Sequence, residues 1–399
     1  MTTRAISPGV VQFALAVGGF AIGTTEFATM SLLPYIARDL GIDEPTAGHV
    51  ISAYALGVVV GAPVIAILSA RLPRRTILIG LMSFFALGNT LSALAPTYGW
   101  MLVCRFLSGL PHGAYFGIAC LVAASLVRED QRTQAVGRVL LGLTVATIVG
   151  VPLANTLGQV FGWRWSFAVV AVLAISCAIL VALYAPREPN PPGASPLREL
   201  GALGRSQVWL TLAIGAIGFG GLFAVYTYLS ATLMDVTKVS AGWVPLVLAF
   251  FGLGMTAGNL IIPRFADRAL MPTAGALLVW LMLVLVLYPL AAGNIGTICI
   301  DVFAVGLGGA LATVLQTRLM DVAGEAQNLA AALNHSAFNM ANALGPWLGG
   351  IAIAAGYGLT STGYVGCALA FGGLIVWWIS RSFFQEPAQP RPAALTDPR

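Results

Sequence analysis

Twelve apolar runs, each long enough to cross a lipid bilayer and almost free of charge, follow one another along this chain. About 20 apolar residues coiled as a helix span the hydrocarbon layer. The runs cover residues 9–35, 46–70, 75–95, 98–126, 134–160 and 164–185, then 206–232, 241–265, 272–292, 295–319, 327–355 and 359–383. Only 9% of the 399 residues are charged, against about 25% in soluble domains. That excludes a soluble enzyme. An all-α membrane protein is expected, because in lipid every backbone N–H and C=O must find a partner within the protein. The first run follows Arg4 in the manner of a secretory signal, but it continues past Glu26 to Pro34 without a small-residue cleavage site and reads as a span.

The formal charge of +5 is spread singly between apolar runs, which argues against nucleic-acid binding. The five cysteines lie inside apolar runs without metal-ligand spacing, so no metal site, disulfide framework or cofactor is expected. Sixteen of the Arg residues fall on one side of the connections, while Arg38, Arg164 and Lys238 fall on the other and Arg105 lies within the fourth run. Positive residues stay cytoplasmic, so both termini are expected there. The longest connection, 186–207, is rich in Pro, Gly and charge and reads as a cytoplasmic linker. It divides an N-terminal six-helix bundle, 1–185, from a C-terminal one, 208–384, with 385–399 as a cytoplasmic tail. A shift of 197 residues supports the division: it lays Gly57 on Gly254 and Gly61 on Gly258, each pair a GxxxG in a span. Such glycines let helix backbones approach closely.

An ionisable group in hydrocarbon is costly, by about 2.5 to 3.5 kcal/mol on insertion scales, so each one asks for a role. Glu26, Arg105, His112, Asp301 and His335 qualify. Glu26, Arg105 and Asp301 lie at similar depth and are expected to face one cavity. Gly19 and Gly23, on much the same face as Glu26, are expected to leave room there for water or ligand. Arg105 and His112, seven residues apart with Gly109 between them, share one face of the fourth span, and Pro111 is placed to bend it. His335, Asn339 and Asn342 form a polar stripe on the eleventh. Tyr54, Tyr115, Phe116, Phe223 and Tyr226 are candidates for a binding wall. Proton coupling is thus expected from Glu26, Arg105, His112 and Asp301. Substrate contacts are expected from Glu26, Tyr54, Tyr115, Tyr226, His335, Asn339 and Asn342.

The whole chain resembles the major facilitator superfamily, in its twelve-span drug:proton antiporter family and the arabinose-efflux-permease-like branch. Four stretches carry the resemblance: EFATMSLLPYIARDLGI, ARLPRRTIL, RFLSGLPHGAYFG and GVPLANTLGQVFGWRW. The family's loop motif reads Gly-x-Leu-Ala-Asp-Arg-x-Gly-Arg-Lys; here Ala66, Ala70 and Pro73 replace its first glycine, its acid and its second glycine. FADR keeps an acid at Asp267, 197 residues after Ala70. Val151 separates Gly150 from Pro152, where the antiporter pattern has Gly-Pro. The resemblance implies two pseudo-symmetric bundles that rock about a central site, with gating by Arg71, Arg74, Arg75, Gly150, Pro152, Asp267 and Arg268. By the same symmetry Asp267 is expected to approach the start of the fifth helix near Gln134 to Gly137 and to hold the cytoplasmic side closed.

The resemblance implies proton-coupled efflux of a small molecule such as a drug, sugar or metabolite, at the inner (plasma) membrane. The expected partners are the bilayer, that solute and protons, with the chain acting as a monomer. A passive facilitator or channel is the alternative, since polar stripes also suit a pore. An embedded enzyme is not supported, because the chain has neither HExxH nor Gly-x-Ser-x-Gly. Reporter fusions at residues 190 and 399 are expected to report cytoplasm, and a periplasmic signal from either would overturn the span count.

Overall fold

The computed structural model describes residues 7–69, 72–128, 132–187, 203–266, 268–323 and 327–383. Among them the chain is helical throughout, with no strand. Eleven helical stretches are long and apolar enough to cross a membrane: Pro8–Ser31, Glu44–Ile65, Arg74–Ala93, Tyr98–Ser125, Gly137–Phe161, Trp163–Tyr184, Ser206–Asp235, Ala241–Ala266, Leu270–Ala291, Ile295–Leu319 and Ser361–Ser382. The twelfth helix, Gln327–Ala352, has 26 residues. The polar stripe of His335, Asn339 and Asn342 lowers its hydropathy below that of the others. In chain order it is the eleventh span of a twelve-helix, multi-pass membrane protein.

Several spans are broken, each for a local reason. The first stops at Ser31 and resumes after Leu32 as a short helix, Leu33–Leu40, because Pro34 lacks the N–H that would continue the ladder. The seventh breaks at Phe219, in the run Gly218 to Gly221. The fifth contains a π-turn at Ala146–Gly150 just before Pro152. Gly162, at φ 99°, joins the fifth and sixth spans through one residue, in a conformation only glycine adopts freely.

The bundle has two ends: a linker end, carrying residues 185 and 206, and a far end, carrying the turns at 41–43, 162 and 357–360. At the far end Trp163 donates to Asp39 at 3.1 Å and Arg164 pairs with the same carboxylate oxygen. The Arg164 bond holds the Asp39 carboxyl below its usual range. Its stabilising effect is present above about pH 4 and fades as pH falls through the lowered value.

The 197-residue repeat is a repeat of packing as well as of sequence. Methyl groups added at Gly57 and Gly61 would land on the backbone oxygens of Phe106 and Leu110, and one at Gly109 on that of Tyr54. Methyl groups at Gly254 and Gly258 would meet the oxygens of Phe303 and Leu307, and one at Gly306 that of Phe251. Every residue of the first set maps onto the second by the same shift. The second span is thus pressed against the fourth as the eighth is against the tenth, backbone to backbone.

One apolar core lies wholly in the N-terminal half, around Leu15, Tyr115 and Phe116. The largest core belongs mainly to the C-terminal half but takes in Phe27, Met30, Leu33, Ala47 and Ile51, so the halves share apolar packing toward the far end. Phe13, Leu68 and Ile300 are among the large apolar side chains left outward, where lipid receives them. Gly109→Val and Gly306→Val should each cost about 1–3 kcal/mol through overpacking, read as a lower melting temperature in detergent. Gly80→Ala, where an added methyl meets nothing, should leave it unchanged.

Candidate functional site

Glu26 is 7% exposed, one turn before the first span ends. Its Oε1 accepts from Asn342 Nδ2 of the eleventh span at 3.2 Å, so the one carboxylate of the first span is bonded across the interface between halves. Arg105, 1% exposed on the fourth span, acts on Glu26 through its charge without touching it. Its Nη1 donates to Thr25 Oγ1 at 3.3 Å and reaches Ser108 Oγ at 3.5 Å. Thr25 in turn donates to Asn89 Oδ1 at 2.9 Å. A neutral polar cradle therefore fixes the guanidinium beside the carboxylate.

From Arg105 the contacts continue toward the linker end. Its guanidinium carbon lies 4.2 Å from the centre of the Tyr54 ring, a cation–π distance. The Tyr54 hydroxyl and His112 Nδ1 are hydrogen-bonded at 3.0 Å. The His112 ring is 6.1 Å from His335, which stacks flat on Phe116 with centroids 5.4 Å apart. The result is a thread, Asn342–Glu26–Arg105–Tyr54–His112–His335, that crosses between halves at both ends. Arg105 and His112 are seven residues apart on one helix, as are His335 and Asn342 on the helix facing it, so two turns of each meet two turns of the other.

Beside this thread lies an aromatic group. Tyr226 is 4.1 Å from Phe251 and meets Phe27 edge-on at 5.7 Å, and Phe27 stacks on Phe223 at 6.2 Å. The Tyr226 hydroxyl and the Asn342 and Asn339 Oδ1 atoms are buried without a protein partner. Asn339 spends its donor on the His335 carbonyl of its own helix, at 3.0 Å.

Other expected residues lie elsewhere. Tyr115 donates to the Leu15 carbonyl at 2.7 Å and packs on Cys177, which ties helices together inside the N-terminal bundle. Asp301 is buried on the tenth span with its Oδ2 unpartnered, and among the described residues no hydrogen bond or charge interaction joins it to Glu26. Gly19 and Gly23 do not open a cavity. A methyl group at Gly19 would meet the Val139 oxygen at 3.1 Å, and one at Gly23 would meet Leu143 at 2.7 Å; the fifth helix fills that space. Gly150 packs against Thr24 and Phe20 of the first span, and Pro152 opens the helix Val151–Phe161. Arg74 starts the third span, and Arg75 donates to the Ala182 carbonyl of the sixth. Arg268 is exposed just before the ninth span. Arg71, Asp267 and the Gln134 side chain lie outside what is described, and with them the expected latch. Thr25, Asn89 and Ser108 were not singled out in the sequence, although Asn89 in the middle of an apolar run was the available signal.

Toward the far end the halves close on each other. Tyr228 of the seventh span donates to the Pro346 carbonyl at 2.9 Å, and its hydroxyl fills the space left by Gly48 and Gly350. Ser52 donates to the Ala343 carbonyl at 2.9 Å, and Gln159 to that of Ala241 at 2.8 Å. Glu44 and Asp235, one from each half, are close enough to repel.

Residues 15–295 match the family described as Major Facilitator Superfamily. The chain is 40% identical over 370 residues to the inner membrane transport protein YdhP of Escherichia coli K12, covering 92% of this chain and 95% of the relative. It is 34% identical over 343 residues to a chloramphenicol resistance protein of Streptomyces lividans, covering 84% and 86%. The crystal structure of a bacterial homologue of the human lysosomal transporter Spinster, inward-facing and unoccupied, has the same fold. Its TM-score is 0.73 at 17% identity, covering 95% of this chain and 98% of that one.

Because Gly48 leaves room for the Tyr228 hydroxyl, Gly48→Val should prise the far end open. A cysteine placed at Ser52 should then react faster with a membrane-impermeant maleimide than in the parent background, whereas Gly99→Val, with nothing near an added methyl, should not change the rate.

Proposed function

This chain belongs to the major facilitator superfamily, and from that membership we propose that it exports a small organic solute in exchange for protons by alternating access. The observation that carries this reading is the buried Glu26, hydrogen-bonded to Asn342 of the opposite half and steadied by Arg105. An ionised carboxyl closed off from water needs compensation, and a proton or a bound solute can each supply it. The two therefore compete for one place.

The same bond links protonation to movement. A hydrogen bond to an ionised acceptor is roughly twice as strong as one between neutral groups, so Asn342 is held most firmly when Glu26 is charged. Protonation loosens the tie between the halves, and loss of the proton restores it. The Tyr54–His112 bond offers a route toward the linker end. Arg105 stays positive throughout and does not itself carry the proton.

The aromatic group of Phe27, Phe223, Tyr226 and Phe251 suits a solute with an apolar or aromatic face, and the free Asn and Tyr oxygens suit one that also offers N–H or O–H groups. The name of the Streptomyces relative supports a drug of chloramphenicol type. The positive bias supports both termini on the cytoplasmic side of the inner membrane. One charge moved through 100 mV releases about 2.3 kcal/mol, enough for a gradient of about 40-fold.

The test uses proteoliposomes with an imposed pH gradient and a solute panel that includes radiolabelled chloramphenicol and sugars. The parent protein should accumulate one of them. Glu26→Gln should lose accumulation, with the ratio falling to one, yet still exchange that neutral solute in counterflow without a gradient. Full accumulation by Glu26→Gln with unchanged pH dependence would place the coupling elsewhere.

A further inference from the structure

At the far end the second half carries a groove of about 600 Å³, between the turn after the seventh span and the first turns of the eighth and tenth. Trp243, Leu246 and Phe250, three and four residues apart along the eighth span, form one wall, and Ile295 and Cys299 of the tenth form the other. Lys238 and Ser240, exposed in the connecting turn, complete it at the outer end. Deeper in, Gly254 brings the two helices into backbone contact at Phe303. The groove lies where they part.

The first half bridges the corresponding place. By the 197-residue shift Leu246 falls on His49 and Ile295 on Tyr98, and the His49 Nδ1 and the Tyr98 hydroxyl are hydrogen-bonded at 2.8 Å. Lys238 falls on Gly41. Both have a left-handed backbone, with φ 66° at Gly41 and 59° at Lys238, and among the described residues Lys238 is the one non-glycine with a positive φ. Glycine is the usual occupant of that conformation at a helix end, because a side chain is disfavoured there. The turn holds the lysine in it nonetheless: the Val239 N–H donates to the Leu233 carbonyl at 3.1 Å, and the Thr237 hydroxyl to the Ala292 carbonyl at 2.8 Å. One half ties its two helices together by a polar bridge, while the other leaves a cleft and fixes an ammonium at its head.

That ammonium is available to a ligand. Among the described residues Lys238 makes no hydrogen bond or ion pair, Asp235 three residues before it included, and no carboxylate lines the groove. Below it the wall is apolar, and from Trp243 to Phe250 it runs about 10 Å, a third of the hydrocarbon thickness. Trp243 is 50% exposed, at the level where aromatic residues meet lipid headgroups. We propose that the groove binds a phospholipid of net negative charge, its phosphate on the Lys238 ammonium and the Ser240 hydroxyl and one acyl chain between the eighth and tenth spans. A zwitterionic headgroup brings its own cation to the phosphate and gains less from the lysine. The bound chain braces the eighth span where Phe250 is followed by Phe251 of the central aromatic group.

Native mass spectrometry of the intact protein in detergent, titrated with phosphatidylglycerol or phosphatidylethanolamine of equal chain length, tests this without a transported solute. The parent should hold one phosphatidylglycerol about fivefold more tightly than one phosphatidylethanolamine, the effect of a single lysine near a headgroup. Lys238→Gly, which gives the turn the residue of its first-half counterpart, should remove that preference without lowering the melting temperature, and Lys238→Arg should keep it. Arg38→Gln, another far-end cation removed, should leave it as in the parent. Cys299→Trp should weaken retention of both lipids by filling the groove. A preference that survives Lys238→Gly would overturn the proposal, as would equal retention of the two lipids by the parent. So would a dimer that Cys299→Trp dissociates while lipid binding stays unchanged, since the occupant would then be a second copy of the chain.

Discussion

The polar centre depends on two helix backbones lying in direct contact. Gly57, Gly61 and Gly109 remove the side chains that would hold the second and fourth spans apart. Only at that separation does the Tyr54 ring lie under the Arg105 guanidinium while its hydroxyl reaches His112. Hydrocarbon supplies no water to solvate a misplaced guanidinium, so the backbone contact also decides whether Arg105 can be accommodated at all.

The same contact is built twice and furnished differently. Tyr54 and Arg105 of the first half map onto Phe251 and Val302 of the second. One half holds the charge and its hydrogen bonds; the other offers aromatic surface, with Phe251 against Tyr226 and Phe27. Pseudo-symmetry therefore fixes the scaffold, while the chemistry is divided between the halves and meets at their interface. Asn342, reaching from the aromatic half to Glu26, is where the two are joined.

What could be read from the sequence follows this division. Glu26, Arg105, His112 and His335 stood out because charge or imidazole in hydrocarbon is rare, and the seven-residue spacings on the fourth and eleventh spans put them on the faces where they lie. Tyr115 did not separate from Tyr54, since both are tyrosines in apolar runs; only the packing shows one bonded to the Leu15 carbonyl and the other to His112. Gly19 and Gly23 misled for a related reason. A missing side chain marks either a cavity or a close neighbour, and here the neighbour is the fifth helix. Asp301 was legible as a buried acid, but that its Oδ2 is left without a hydrogen-bond partner is set by the packing around the tenth span, which no local pattern predicts. The twelve spans followed from composition, whereas the breaks at Leu32 and Phe219 depend on proline and glycine chemistry within runs that look continuous.

The like charges of Glu44 and Asp235 give the far end an unusual response to its surroundings. The closure there is made of neutral hydrogen bonds and apolar packing, and this cross-half charge pair is one of like sign. Asp235 is exposed and Glu44 half-buried, so dissolved ions screen the pair in part, and what they relieve at this junction is a repulsion. A saltier medium bathing that face draws the two halves together, the reverse of what it does to a gate fastened by an ion pair.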